Sequence, residues 1–239
     1  MGRENNPRKK PRHVAIIMDG NKRWAEKEGL TVLEGHRKGA ETAQEIIKAS
    51  KDLGIEYLTL YAFSTENWKR SKYEVDGLML LLETFIRENL DKIHREGIRF
   101  RAIGRLEMVP SKTRKILMDA IEKTSGNSQG NLILALSYGG RAEIADAARK
   151  IAVDVLDGKI KTGEIDEELF RGYLYAPDVP DPDLLIRTSG EFRISNFLLW
   201  QISYSEILIT DTLWPDFSKD EFRKMVEEFC SRKRRYGGR

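Results

Sequence analysis

The sequence predicts a single α/β domain built on a mainly parallel sheet with helices on both faces. Two observations carry this. Short apolar runs alternate with segments of helical period, and the runs are continuously apolar, as strands buried on both faces must be. A chain of 239 residues, 40% of them apolar, is also long enough to bury one sizeable core.

The elements follow in order. His13 to Met18 is a buried strand, and His36 to about Leu53 a helix. Glu56 to Phe63 is a second strand. Apolar residues at 75, 78, 79, 82, 85, 86, 90 and 93 then make a long amphipathic helix, joined on its apolar arc by Leu80 and Leu81. Ile98 to Ile103 is a strand, 111–124 a helix, Asn131 to Ser137 a strand and 141–156 a helix. Asp183 to Arg187 is a strand, Phe197 to Trp200 fits no period, Glu206 to Thr210 is a last strand and 218–231 a last helix. The proline-rich stretch Pro177 to Pro182 reads as a linker inside one domain. That domain spans 13–231, between a basic extension at 1–12 and a basic tail at 232–239.

Composition narrows the function. The 41 basic and 38 acidic residues leave a net charge of +3, which gives no strong pull toward nucleic acid. The basic runs at the two ends read as solvated tails. Cys230 is the single cysteine, which excludes an internal disulfide and suits a reducing cytoplasm. With His13, His36 and His94 as the three histidines, a structural zinc site would need carboxylates as ligands. No stretch reaches the ~18–20 apolar residues of a membrane span. Any membrane contact is therefore expected at the surface.

The chemistry gathers where strands end. The first strand runs into Asp19, Gly20, Asn21, Lys22, Arg23 and Trp24, and the second into Ser64, Thr65, Glu66, Asn67, Trp68 and Arg70. The strand at 131–137 ends in Tyr138, Gly139, Gly140 and Arg141; the one at 183–186 ends in Arg187, Gly190, Arg193, Ile194 and Ser195. Open parallel sheets bind ligands beyond the carboxyl ends of their strands, so the four segments are expected to line one crevice. Arg23, Arg70, Arg187 and Arg193 match phosphate oxygens, and the glycines and following helix N-termini favour anions. Asp19 among arginines is the arrangement expected where Mg²⁺ bridges protein and phosphate. Phe63, Trp24 and Trp68 add apolar walls, which together predict a substrate with an anionic head and a greasy body. Each piece alone has a plainer reading. Asp19-Gly20-Asn21 also suits a tight turn, His36 a cap or core residue, and Trp68 packing. The P-loop, the G-x-G-x-x-G fingerprint, the G-x-S-x-G elbow and the Asp-Asp-x-x-Asp pattern are absent.

Five segments carry a resemblance: H-V-A-I-I-M-D-G-N-K-R-W, Y-A-F-S-T-E-N-W-K-R, S-Y-G-G-R, I-R-T-S-G-E-F-R-I-S-N-F-L-L-W-Q and L-W-P-D-F. In this order, over residues 11 to 237, they resemble the cis-prenyltransferases. The resemblance implies a single domain on a six-stranded parallel sheet with a hydrophobic tunnel, a homodimer, and Mg²⁺ as cofactor. It implies condensation of isopentenyl diphosphate with an allylic prenyl diphosphate such as farnesyl diphosphate, giving a polyprenyl diphosphate of undecaprenyl type. By resemblance Asp19 is the catalytic aspartate, and Asp19 and Glu206 are the metal carboxylates. Gly20, Asn21, Lys22, Arg23, Trp24 and His36, with Ser64, Thr65 and Glu66, make the allylic site. Asn67 matches the proton acceptor, although a neutral amide is a poor base. Trp68 and Arg70, with Glu74, match a closing segment, and Arg187, Arg193, Ile194 and Ser195 the isopentenyl diphosphate site. Arg235-Tyr236-Gly237 matches a terminal Arg-x-Gly that reaches a partner's site. Val32 departs from the family, which usually has an arginine there, and Phe192 replaces a residue that is commonly polar. The helix at 75–93 reads from its pattern as core or dimer face and from the resemblance as a tunnel wall, with Ala62 and Leu132 as candidate tunnel residues. Two rival readings use the same residues: a Mg²⁺-dependent phosphoryl-transfer enzyme, and a non-catalytic partner subunit. The presence of Asp19, Asn67, Arg187, Arg193 and Glu206 weighs against the second.

Overall fold

Six strands, His13–Ile17 (β1), Tyr57–Ser64 (β2), Ile98–Ile103 (β3), Gly130–Tyr138 (β4), Leu184–Arg187 (β5) and Glu206–Ile209 (β6), form one sheet. Its order is β3-β4-β2-β1-β5-β6, and every neighbouring pair is parallel. The computed structural model describes residues 10–232. The Arg235-Tyr236-Gly237 segment and most of the basic runs lie outside that range.

Continuous apolar strands bury both faces. Val14, Ile16, Leu60, Leu134 and Ile186 face a core completed by the helices Val32–Asp52 (α2), Lys72–Arg95 (α3), Ser111–Lys123 (α4) and Lys219–Ser231 (α7). Ala15, Ile17, Ile133 and Leu185 face a smaller core with Tyr138, Val179, Phe197 and Ile202. The helix Gly140–Leu156 (α5) closes that side through buried Glu143, which accepts hydrogen bonds from Tyr138 Oη, the Tyr175 amide and Gln201 Nε2. Among the described residues no helix is long and apolar enough to cross a membrane.

Several boundaries differ from the sequence reading. The first polar segment is mostly helix: only Asp19 and Gly20 turn, and Asn21–Glu28 (α1) follows at once. Its N-cap is a left-handed glycine without a side-chain cap, so the usual N-terminal signal is missing. α2 starts four residues before His36, at a capping box between Thr31 and Glu34. His36 is therefore not a cap, and Val32 is the first helical residue. A short helix Glu167–Gly172 (α6) also escaped the pattern. Residues 197–200 form turns, with Ser195, Asn196 and Leu198 at positive φ. The Pro177 to Pro182 stretch is no linker. Val179 is buried in the smaller core, and the Pro180 carbonyl accepts a hydrogen bond from His13 Nδ1 at 2.6 Å. The basic start is anchored too: Arg12 Nε donates to Glu56 at 2.7 Å, and its amide to Asp183 at 2.7 Å.

His13 is 3% exposed, and its Nε2 meets Thr59 Oγ1 at 2.8 Å. A carbonyl can only accept, so Nδ1 carries the proton and Nε2 takes the Thr59 hydroxyl. Burial pushes this imidazole down to about 4 from the ordinary 6.5. Its neutral form therefore stabilises the fold fully above pH 6.5, and this contribution is lost as pH falls toward 4. The linkage is worth about 3 kcal/mol across that window. Denaturant unfolding at pH 7 and pH 4.5 should show a loss in the wild type that is clearly smaller in His13→Asn; equal losses would reject the assignment.

Candidate active site

The crevice lies where connections leave β1 toward β2 on one side and reach β5 on the other, the switch point at which open α/β sheets bind ligands. The four polar segments follow β4, β2, β1 and β5, four adjacent strands, at their carboxyl ends.

At the β1–β5 junction, Asp19 and Arg187 meet. Arg187 Nη2 donates to Asp19 Oδ2 at 2.7 Å. Its Nη1 donates to Ser195 Oγ at 2.8 Å and to the Arg193 carbonyl. The Arg187 side chain is 4% exposed, and its Nε is buried without a protein partner. The turn holding Asp19 is tied from three sides. Its amide donates to Thr188 Oγ1 at 3.0 Å, and its carbonyl accepts from the Thr188 hydroxyl at 2.7 Å and the Trp214 amide at 3.0 Å. Gly20 has φ +110°, and an added Cβ would sit 3.0 Å from the Leu213 side chain, so glycine is required there.

Arg23, one turn into α1, approaches Asp19 Oδ1 at 3.5 Å and Glu191 at 3.4 Å, and donates to the Ser189 carbonyl at 3.2 Å. Burial alone would raise the Asp19 carboxyl. The Arg187 hydrogen bond and charge, with the Arg23 charge, outweigh it and hold the group below the usual range. Arg193 is more open and pairs with Glu191. The start of α1 adds amides that no helical carbonyl takes. The arrangement is an anion cradle of two arginines and a helix start around the ionised Asp19 carboxylate, with the Glu191 carboxylate at its side.

Beside it opens an apolar cavity of about 180 Å³. Its polar lining includes Asn21, His36, Asn67 and Arg70; Ala43, Leu82, Phe85 and Leu136 are among its apolar walls. Burial, helped by the Arg70 charge, pushes His36 down to about 4, so it is neutral at pH 7. Asn21 Nδ2 donates to the Met18 carbonyl at 3.3 Å, while its Oδ1 is buried without a partner. An added Cβ at Gly39 would lie 2.1 Å from that oxygen, so the glycine is what lets α2 pass. α3 does form a wall, through Leu78, Met79, Leu81, Leu82 and Phe85, whereas Leu80 is 59% exposed. Ala62 lines the cavity because β2 bulges: Tyr61 pairs with Ala135 and Phe63 with Leu136, leaving Ala62 as the extra residue. Leu132, expected beside it, is buried in the core and does not line this cavity; Leu134 and Leu136 on the same face do.

The other expected residues divide. Ser64 donates its amide to Asn67 Oδ1 at 2.9 Å, which fixes the side chain expected as proton acceptor against the end of β2. Trp68 packs edge-on to Phe63 and donates to Ser137 Oγ at 2.9 Å; Arg70 pairs with Glu74 at 2.7 Å. Thr65 donates to Glu66 at 3.0 Å. Lys22 is exposed beside Glu26, and Trp24 Nε1 reaches Asp216 at 2.8 Å. Ile194 packs against the smaller core. Glu206 stands apart from this group. It pairs in register with Leu184, three residues or about 10 Å before Arg187 along the sheet, so within one chain it does not meet Asp19. It approaches Arg232 at 3.4 Å instead. No cluster of three or more metal-binding side chains exists among the described residues. The α5 N-terminus, expected to favour an anion, spends its first amides on Asn196. Phe192 is 87% exposed.

Sequence reasoning had Thr188, Ser189, Asn196 and Trp214 inside its motifs but gave none of them a role. Trp214 is buried, lines the cavity and donates to the Gly39 carbonyl at 2.8 Å. The spacing of Gly35 and Gly39 was the available signal: Cβ atoms there would run into Asn21 and Trp214.

Residues 17–237 match the family described as "Putative undecaprenyl diphosphate synthase". An isoprenyl transferase of Thermotoga maritima is 52% identical over 228 residues, covering 95% of this chain and 97% of the relative. A tritrans,polycis-undecaprenyl-diphosphate synthase (geranylgeranyl-diphosphate specific) of Thermococcus kodakarensis is 51% identical over 229 residues, covering 95% and 87%. Among solved structures, lavandulyl diphosphate synthase from Lavandula x intermedia, in complex with dimethylallyl diphosphate, superposes with a TM-score of 0.94 at 39% identity, covering 96% of this chain and 99% of that one.

Because Arg187 opposes the burial penalty on Asp19, Arg187→Met should raise the Asp19 titration above its wild-type position. A ¹³C-detected pH titration of the aspartate carboxyls reads this directly, and an unmoved Asp19 would remove Arg187 as the source of its acidity.

Proposed function

The chain belongs to the cis-prenyltransferase family, that of undecaprenyl diphosphate synthase and isoprenyl transferase, and from that premise we propose that it joins isopentenyl diphosphate to farnesyl diphosphate in repeated cis condensations, ending at undecaprenyl diphosphate. The observation that carries the reading is a cradle for anions opening beside an apolar cavity, one place for a diphosphate and one for its hydrocarbon.

In each cycle the allylic C–O bond breaks and diphosphate leaves. The alkene electrons of isopentenyl diphosphate form the new carbon–carbon bond, and a proton is lost from the isopentenyl unit. Arg23 and the α1 amides stabilise charge on the leaving group. Arg187, Arg193 and Ser195 hold the second diphosphate, and fixing both substrates supplies the orientation term. Asn67 is assigned to positioning, because a neutral amide has little proton affinity; its oxygen accepts the Ser64 amide, which holds the side chain in place. A diphosphate oxygen is then the proton acceptor. Neutral His36 in the cavity lining contributes ring contacts without a charge of its own.

Mg²⁺ fits this site in one form. It takes one or two protein carboxylates and completes its shell with phosphate oxygens and water, and Asp19 is the ionised carboxylate available. Bound there, it would neutralise charge on the departing diphosphate. The same proposal includes a homodimer, supported by the exposed apolar residues Phe192 and Ile207 beside the β6 edge. It places the enzyme in the cytoplasm with transient membrane-surface contact for release of a long apolar product, and it assigns no nucleic-acid partner. A specific observation keeps a second starting substrate in view, since the Thermococcus relative is named for geranylgeranyl diphosphate.

Purified protein given Mg²⁺, labelled isopentenyl diphosphate and either farnesyl or geranylgeranyl diphosphate should build a chelator-sensitive lipid ladder ending near eleven isoprene units. Release of inorganic phosphate without lipid would favour the phosphoryl-transfer rival, and no turnover by folded protein the partner-subunit reading. Ala62→Leu fills the cavity where the bulge presents the side chain, so it should shift the product toward shorter chains. Unchanged chain length would remove Ala62 from the wall.

A further inference from the structure

One side chain near the crevice has no role in the reaction outlined above, yet it touches both substrate segments. Asn196 has φ +62°, a conformation that asparagine tolerates better than most residues. Its Nδ2 donates to Glu66 Oε1 at 3.0 Å, and its Oδ1 accepts the Arg141 amide at 2.9 Å. Its carbonyl accepts the Gly140 amide at 2.7 Å. Glu66 directly precedes Asn67 in the turn after β2; Ser195, which binds Arg187 at 2.8 Å, directly precedes Asn196. Asn196 thus ties the segment after β2 to the segment after β5 and fastens both to the start of α5. The fit is close, because an added Cβ at Gly139 would lie 2.7 Å from Asn196 Nδ2 and 2.7 Å from Thr65 Oγ1.

We propose that Asn196 is a positioning residue that keeps the two diphosphate half-sites in register, an inference that rests on the proposed condensation. A side-chain amide suits the place because it donates to a carboxylate while accepting a helix amide. Aspartate would keep the acceptor and set a like charge against Glu66. Joining two bound substrates is sensitive to such a shift, since ~1 Å of misplacement can cost about 10²-fold in rate.

The decisive test reverses the hydrogen bond. Asn196→Asp is made alone and together with Glu66→Gln; in the pair, the introduced amide donates to the introduced carboxylate, whose second oxygen still accepts the Arg141 amide. Because Glu66 belongs to the binding site, Glu66→Gln alone is the reference for the pair. In the wild-type background, Asn196→Asp should lower kcat/KM for both substrates together by about 10- to 100-fold, and in the Glu66→Gln background by less than about fivefold. Equal penalties in both backgrounds, a defect confined to one substrate's KM, or rates that follow the thermal unfolding midpoint would each overturn the proposal. If Asn196→Asp does not fold, Asn196→Gly keeps the left-handed backbone without either side-chain bond and should show the same two-substrate defect; normal kinetics in it would overturn the proposal. If the wild type makes no product, the proposed function fails. The tie is then read from coupling between the two substitutions in unfolding free energy: coupling supports it, and strict additivity rejects it.

Discussion

The hydrogen-bonded ion pair between Arg187 and Asp19 is the constraint around which the rest of the site is arranged. A guanidinium that is 4% exposed is costly to bury, and the cost is met only if a carboxylate and further acceptors lie in the right directions. Asp19, Ser195 and the Arg193 carbonyl supply them. That requirement fixes the relative placement of the β1 turn, the β5 end and the segment after it. It also keeps Asp19 ionised in a partly buried place.

Around this pair the molecule separates two kinds of surface. The cradle is polar and made of strand ends. The cavity is apolar and made of the inward faces of α2, α3, β2 and β4. The contact between them runs through small residues: Gly39 makes room for Asn21, and the β2 bulge presents Ala62 instead of a larger side chain. A hydrocarbon attached to a diphosphate needs such an abrupt change of surroundings within a few atoms, because neither half is stable in the other's environment.

Much of this was legible in the sequence, and the reason is local. Apolar runs identified the strands most plainly at β1, β4 and β5, where strands buried on both faces have no polar side, whereas β3 alternates apolar residues with Arg99 and Arg101 and β6 leaves Ile207 exposed. Polar residues directly after β1, β2, β4 and β5 marked the crevice because a parallel sheet brings those ends to one edge. Where local signals were weak the reading failed. α1 begins at a glycine with no capping side chain, and the turns at 194–202 use left-handed asparagine, serine and leucine that no periodicity announces. The proline-rich stretch looked like a linker because composition does not reveal that Val179 is buried or that His13 needs the Pro180 carbonyl.

The sequence by itself determined the fold class, the strands, the chemistry of their ends and, through its motifs, the family. Tertiary structure alone decided which groups meet. β5 lies beside β1 although some 170 residues separate them, so Arg187 faces Asp19 while Glu206, only about 20 residues after Arg187, does not. The bulge that turns Ala62 into the cavity and the amide of Asn196 that spans two loops are likewise products of strand order and register. Side-chain pattern reports the neighbours along a strand or helix. Contacts between elements depend on how those elements are stacked, which no short stretch of sequence contains.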